Sequence, residues 1–171
     1  MVFTEDQTGL LQRVVTIFTR RHINIKSLTT SQSSIEGIHR FTVVVDVTAD
    51  TVERLVAQLE RQVDVLKAFH YQNEETVYQE VALYKVPTAI FSDGDVVEQL
   101  LRRHNARVLS IEPAYVVIEK TGHPHETEQL LTELRSIGIY EFARSGRVAV
   151  VKQMERLSTY LKGLEVPVGE G

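Results

Sequence analysis

The chain of 171 residues contains no cysteine. Disulfides, thiolate nucleophiles and thiolate zinc sites are therefore all excluded, which agrees with a cytoplasmic protein. No apolar run approaches the ~20 residues that a bilayer-spanning helix needs. Neither end resembles a signal peptide, so no membrane role is expected. Basic charge is also scarce: 19 Lys and Arg stand against 23 Asp and Glu, for a formal net charge of -4. With a pI near 5.9, the chain is a poor nucleic-acid binder. The pairs Arg20-Arg21 and Arg102-Arg103 sit late in predicted helices, where they complement the helix dipole.

Catalytic motifs are missing as well. There is no Gly-x-Ser-x-Gly, no P-loop and no Gly-x-Gly-x-x-Gly. Glu74-Glu75 falls in a polar linker, and Asp93 and Asp95 flank a helix start; solvation and capping account for them. No catalytic residue is expected. His123-Pro124-His125 offers two imidazoles to a metal, with His70 or His104 as a third ligand. The plainer reading places them in the loop before a helix, so no metal site is assigned. His22, His39, His70 and His104 read as surface or partly buried residues.

What is present is a regular alternation of strand and helix patterns, with 43% hydrophobic residues to build a core. The stretch Glu5–Ser27 organises it. A polar turn closes on Gly9, and Leu10, Leu11, Val14, Val15, Ile17 and Phe18 then recur at helical spacing. Glycine at the mouth of a helix lets main-chain amides approach a ligand, and the helix N-terminus favours an anion such as a free amino acid's carboxylate. An ordinary turn-plus-helix explains the same residues.

Taken in order, Met1–Thr4 is a first strand, short enough that it is expected to begin upstream in the native chain or its relatives. The opening helix and a strand over Ile23–Thr30 follow. Ser31–Gly37 is a loop, and Ile38–Val47 is a strand with Phe41, Val43, Val45 and Val47 on one face. Asp50-Thr-Val-Glu53 reads as a capping box opening a helix with Val52, Leu55, Val56 and Leu59 inward. Val63, Val65, Phe69 and Tyr71 suggest a fourth strand. This is the β-α-β-β-α-β plan.

Asn73–Thr76 is a polar break. Beyond it come a strand (Val77–Val86), a helix (Asp95–His104, through Val96, Val97, Leu100 and Leu101) and strands at Arg107–Ile111 and Tyr115–Lys120. A helix over Glu126–Ser136, strands at Ile139–Ala143 and Val148–Lys152, and a terminal helix with Leu157, Tyr160, Leu161 and Leu164 complete the pattern. Arg20-Arg21-His22 echoes Arg102-Arg103-His104, and Val14, Val15 and Phe18 echo Val96, Val97 and Leu100, hinting at two βαββαβ units. The fold class is α+β, with domains over 1–75 and 76–171.

The stretch Asp6-Gln-Thr-Gly9-Leu10-Leu11-Gln-Arg13-Val14, with Ile17-Phe18, Arg20-Arg21 and Asn24-Ile25-Lys26-Ser27-Leu28, resembles an ACT domain. More narrowly, it resembles that of the small, regulatory subunit of acetolactate (acetohydroxyacid) synthase. Val63-Asp64-Val65-Leu66 and Ala143-Arg144-Ser145-Gly146-Arg147 resemble later signatures of that family, so the similarity spans nearly the whole chain.

The resemblance implies a non-catalytic partner of a large subunit that carries thiamine diphosphate, Mg and FAD in branched-chain amino-acid (valine and isoleucine) synthesis. It implies activation of that subunit and feedback inhibition, typically by valine. It further implies a homodimer in which the Ile23–Thr30 edge strands of two ACT domains pair. The effector would lie between Asp6, Gly9, Leu10 and Leu11 of one protomer and Asn24 and Ile25 of the other. Asp6 stands where the family has asparagine, and Arg21-His22-Ile23 lacks the family's glycine after the helix, so a different exit turn is expected. Alternatives are a free-standing ACT amino-acid sensor with another target, or a metal-responsive module using His123 and His125.

Overall fold

The computed structural model describes residues 1–91 and 95–152. They divide into two units. One is Met1–Val77 with the described residues from Ala149 on, and the other is Tyr78–Val148.

The first unit runs β1 (Val2–Glu5), α1 (Leu10–Arg20), β2 (Ile25–Gln32), β3 (Ile38–Val45), α2 (Ala49–Leu59), β4 (Val65–Ala68). Its sheet has the order β2-β3-β1-β4, antiparallel throughout. Leu10, Val14, Ile17 and Phe18 of α1 and Leu55 and Leu59 of α2 bury against Val2, Phe41, Val65 and Ala68. Val43 and Val45 pack beside Phe41, as their alternation in the sequence predicts.

Three local expectations are corrected here. The cap of α2 is Thr48, whose side chain accepts from the Thr51 amide; Asp50 lies inside the first turn and pairs with Arg54 at 2.9 Å. A threonine hydroxyl two residues earlier therefore outcompetes the Asp50 box. Val63 does not enter β4: it is 95% exposed, and the strand begins at Val65. The exit from α1 keeps its glycine-type geometry without a glycine. His22 takes φ +54, and the Ile23 amide bonds the Phe18 carbonyl at 3.0 Å, a Schellman closure.

The second unit repeats the plan. It has β5 (Thr76–Pro87), α3 (Asp95–Arg103), β6 (Arg107–Ile111), β7 (Tyr115–Gly122), α4 (Pro124–Ile137) and β8 (Glu141–Arg144); β9 (Val148–Val151) begins at its end and runs into the first unit. The sheet order is β6-β7-β5-β8, with β9 also paired to β5. Its core gathers Tyr84, Val86, Val97, Leu100, Leu101, Ile118, Leu130 and Leu134. Burial pushes the Tyr84 phenol well above its ordinary range, and its hydroxyl donates to the Thr127 carbonyl at 2.7 Å.

The internal echo is present in the fold, but one residue out of step. After α3, Asn105 takes φ +50 and the Ala106 amide bonds the Leu101 carbonyl at 2.8 Å. His22 therefore matches Asn105, not His104. With that shift Val14, Ile17 and Phe18 match Val97, Leu100 and Leu101, all buried, whereas Val96 is 63% exposed. The Arg-Arg-His match misled because exposed basic residues at a helix end carry no packing constraint.

Helix α4 also starts earlier than the sequence predicts. Pro124 supplies a preset φ at its first position, and the Glu126 carboxylate accepts the His123 amide at 2.6 Å. That bond holds the Glu126 carboxyl below its ordinary pKa. The expected helix over Leu157–Leu164 and the Asp93 side of the α3 cap lie outside the described residues.

Leu130, with no exposed surface, sits where α4 meets the sheet. Replacing it by alanine (Leu130→Ala) is expected to cost about 2–5 kcal/mol in urea unfolding. Val96→Ala, on the exposed face of α3, is expected to stay within about 0.5 kcal/mol.

Candidate functional site

Between β1 and α1 the chain turns on Gly9, the N-cap residue of the helix, at φ +84. Left-handed backbone is open to glycine at no steric cost. No side chain caps α1 and its first turn holds no acidic residue. The first intrahelical bond runs from the Arg13 amide to the Gly9 carbonyl, 3.3 Å. The amides of Leu10, Leu11 and Gln12 precede that bond, at the positive end of the helix dipole.

Three contacts hold this turn in place. The Asp6 amide donates to the Gly37 carbonyl at 3.0 Å. Arg13 is ion-paired to Asp64, a carboxylate 11% exposed at the mouth of β4, and the Asp64 carbonyl accepts the Glu5 amide at 3.2 Å. The Val63-Asp64-Val65 stretch thus anchors the opening turn from the far side of the sheet.

The turn walls a cavity of about 250 Å³. That is below the about 300–1,000 Å³ typical of drug-sized ligands, and suits one small metabolite. Asp6, Gly9, Leu10 and Leu11 line it, together with Glu5 and Gln7. Across from them stand Thr30 and Ser31 of β2 and His39 and Phe41 of β3. The His39 Nε2 lies 3.5 Å from the Asp6 Oδ1. Leu11 is 43% exposed, an aliphatic side chain left at the rim.

Four of the six residues singled out from the sequence therefore share one cavity. Asn24 and Ile25 do not line it: Ile25 pairs with Val45 at one end of β2, whereas Thr30 and Ser31 pair with Phe41 and Arg40 at the other. Sequence reasoning missed Thr30, Ser31, Phe41 and above all His39. The available signal was strand alternation, which puts His39 on the face of Phe41, next to the turn once β1 pairs with β3.

The second unit's signature has a different character. Arg144 lies 3.4 Å from Glu80 and 3.6 Å from Glu128, and Thr127 donates to Glu80 at 2.5 Å. Ser145 exchanges two bonds with Val81, its amide to the carbonyl at 2.8 Å and its hydroxyl accepting at 2.9 Å. Arg147 stacks on the Tyr78 ring at 3.7 Å. These residues bind β8 and α4 to β5. His125 lies inside the first turn of α4, its ring stacked 5.8 Å from His123. Among the described residues no group of three or more His, Cys, Asp or Glu is placed to hold a metal ion.

A family described as the small subunit of acetolactate synthase matches residues 79–153, and one described as the AHAS small subunit-like ACT domain matches residues 1–67. The acetolactate synthase small subunit of Bacillus subtilis is 32% identical over 162 residues, covering 94% of each chain. The chain belongs to the acetolactate synthase small-subunit family. Its counterpart in Mycolicibacterium smegmatis is 34% identical over 149 residues, 87% of each chain. The crystal structure of the small subunit from Thermotoga maritima superposes with a TM-score of 0.80 at 26% identity, covering 90% of this chain and 96% of that one. As a small subunit the chain has a regulatory place beside a catalytic one, and its fold is the pair of ferredoxin-like βαββαβ units, the first an ACT domain. No helix among the described residues is long and apolar enough to cross a membrane.

A Cβ built on Gly9 meets nothing within 4 Å, so Gly9→Ala tests backbone conformation alone. The substitution is expected to cost about 1–2 kcal/mol in chemical denaturation while the circular dichroism spectrum is retained.

Proposed function

We propose that this cytoplasmic small subunit activates the acetolactate synthase catalytic subunit, a thiamine-diphosphate enzyme, and confers feedback inhibition by valine. The ACT domain, residues 1–75, carries the effector site; residues 76–171 form the second regulatory domain. The observation that carries the reading is the single cavity joining the left-handed Gly9 turn, the leading amides of α1, Asp6 and two apolar side chains. Each end of a free amino acid finds a partner there. Its carboxylate meets the α1 amides, its ammonium meets Asp6, and its aliphatic side chain lies against Leu10 and Leu11. Each buried CH₂ is worth about 0.8 kcal/mol, which favours valine over alanine; separating valine from leucine needs shape. The family match over residues 79–153 favours this reading over a free-standing sensor.

The site is completed by a second copy. Among the described strands β2 is an edge of its sheet, and antiparallel pairing with its own symmetry mate would continue that sheet across the two copies. If Asn24 and Ile25 of the partner are to face the cavity, Ile25 must lie across from Thr30, the cavity residue of β2 that shares its face, and the two-fold axis then passes close to Leu28. This register reunites all six residues.

Mixing the chain with its catalytic subunit is expected to raise turnover and make it valine-sensitive; unchanged turnover and unchanged sensitivity refute the assignment. The dimer register has its own test, because the chain contains no cysteine. Directly opposed Cα atoms lie about 4.5–5.5 Å apart, within disulfide reach. Leu28→Cys is expected to cross-link into a dimer on oxidation. Ile25→Cys and Thr30→Cys are expected to cross-link only when mixed with each other.

A further inference from the structure

We propose that His39 is a specificity-determining residue of this cavity: with Asp6 it forms a pair that reads the effector's ammonium, so that an α-amino acid is preferred over the matching 2-keto acid. The inference rests on the amino-acid reading of the cavity given above.

Once the effector carboxylate is taken by the amides of α1, Asp6 is the carboxylate of the same turn left to face the ammonium. Glu5 is engaged by the Gln7 amide at 2.7 Å. The His39 ring nitrogen, 3.5 Å from Asp6 Oδ1, then decides how much of that negative charge the ligand meets. With His39 neutral, the full charge of Asp6 faces the ligand. An ammonium is attracted. A 2-keto acid brings only a carboxylate and a carbonyl oxygen toward that charge and is repelled. With His39 protonated, the imidazolium neutralises Asp6 and the preference shrinks.

The surroundings leave this pairing in control. From β1, Thr4 stands directly across from His39 with a buried hydroxyl and no charge. From β2, Gln32 is its cross-strand neighbour, and Thr30 and Ser31 are uncharged. Leu10 and Leu11 of α1 are apolar, and Arg13, one turn on, is tied to Asp64. Glu36, in the loop before β3, is exposed. Arg40 follows on the opposite face of β3, 6.0 Å over the Phe3 ring. Histidine is the side chain whose charge ordinarily changes between about pH 5 and 8, so the preference is pH-dependent. Asp6 is 61% and His39 33% exposed, which keeps the effect to a few-fold.

Calorimetric titration of the intact chain with L-valine and with 2-ketoisovalerate, at about pH 8 and about pH 5.5, tests the inference. In the unaltered protein, valine is expected to bind about three- to fivefold more weakly at the lower pH, with the margin over the keto acid narrowing. His39→Gln is expected to keep the margin at both pH values, and Asp6→Asn to lose most of it at both. Matching pH profiles for His39→Gln and the unaltered chain overturn the proposal. Valine binding that ignores pH sinks this inference alone. Failure of both compounds to bind at every pH takes the amino-acid site down with it.

Discussion

Burial of one face of α1 is the constraint on which the Gly9 turn and its cavity depend. Val14 and Phe18 can reach Val2 and Phe41 only if the helix crosses the sheet at one height and rotation. Leu10, in the same stripe, pulls the start of the helix down onto the strands. The preceding residues must then reverse direction within a few positions, and the left-handed Gly9 makes the reversal possible. The exposed amides of the first turn and the approach of Asp6 to His39 are consequences of hydrophobic packing some way along the helix.

The two units solve the same packing problem and keep different things. Both end their first helix in a Schellman closure on a non-glycine residue, His22 in one and Asn105 in the other. Both lay that helix across an antiparallel sheet of the same strand order. They diverge in where polar groups are spent. In the first unit the anchor pair Arg13–Asp64 steadies a turn that faces a cavity. In the second, Glu80 is 7% exposed and held at its Oε1 by both Thr127 and Arg144. A carboxylate so enclosed locks strand to helix, because leaving it unpaired costs far more than the pair itself contributes.

The Asp6–His39 pair shows why a single changed residue is best judged with its neighbours. An aspartate in place of the family's asparagine, taken alone, has no determined effect on a zwitterionic ligand. Set 3.5 Å from the His39 ring nitrogen, it faces the cavity as one half of an aspartate–imidazole pair rather than alone.

Periodicity was enough to identify nearly every helix and strand of the described residues, because an amphipathic helix or half-buried strand writes its burial into its own spacing. The Gly9 turn was legible for a related reason: glycine before an apolar stripe has a local steric meaning. Three kinds of feature were not. The beginnings of α2 and α4 shifted by two residues, the cap to Thr48 and the first turn to Pro124, since neighbouring candidates compete and small differences in hydrogen bonding decide between them. The one-residue offset of the internal repeat emerged only from which valine, Val96 or Val97, faces the core. His39 became part of the cavity through the pairing of β1 with β3, a contact between segments more than thirty residues apart. Local sequence determines what a segment prefers to be; only the tertiary structure decides which side chains meet, because strand register is set by the packing of the whole sheet rather than by either strand alone.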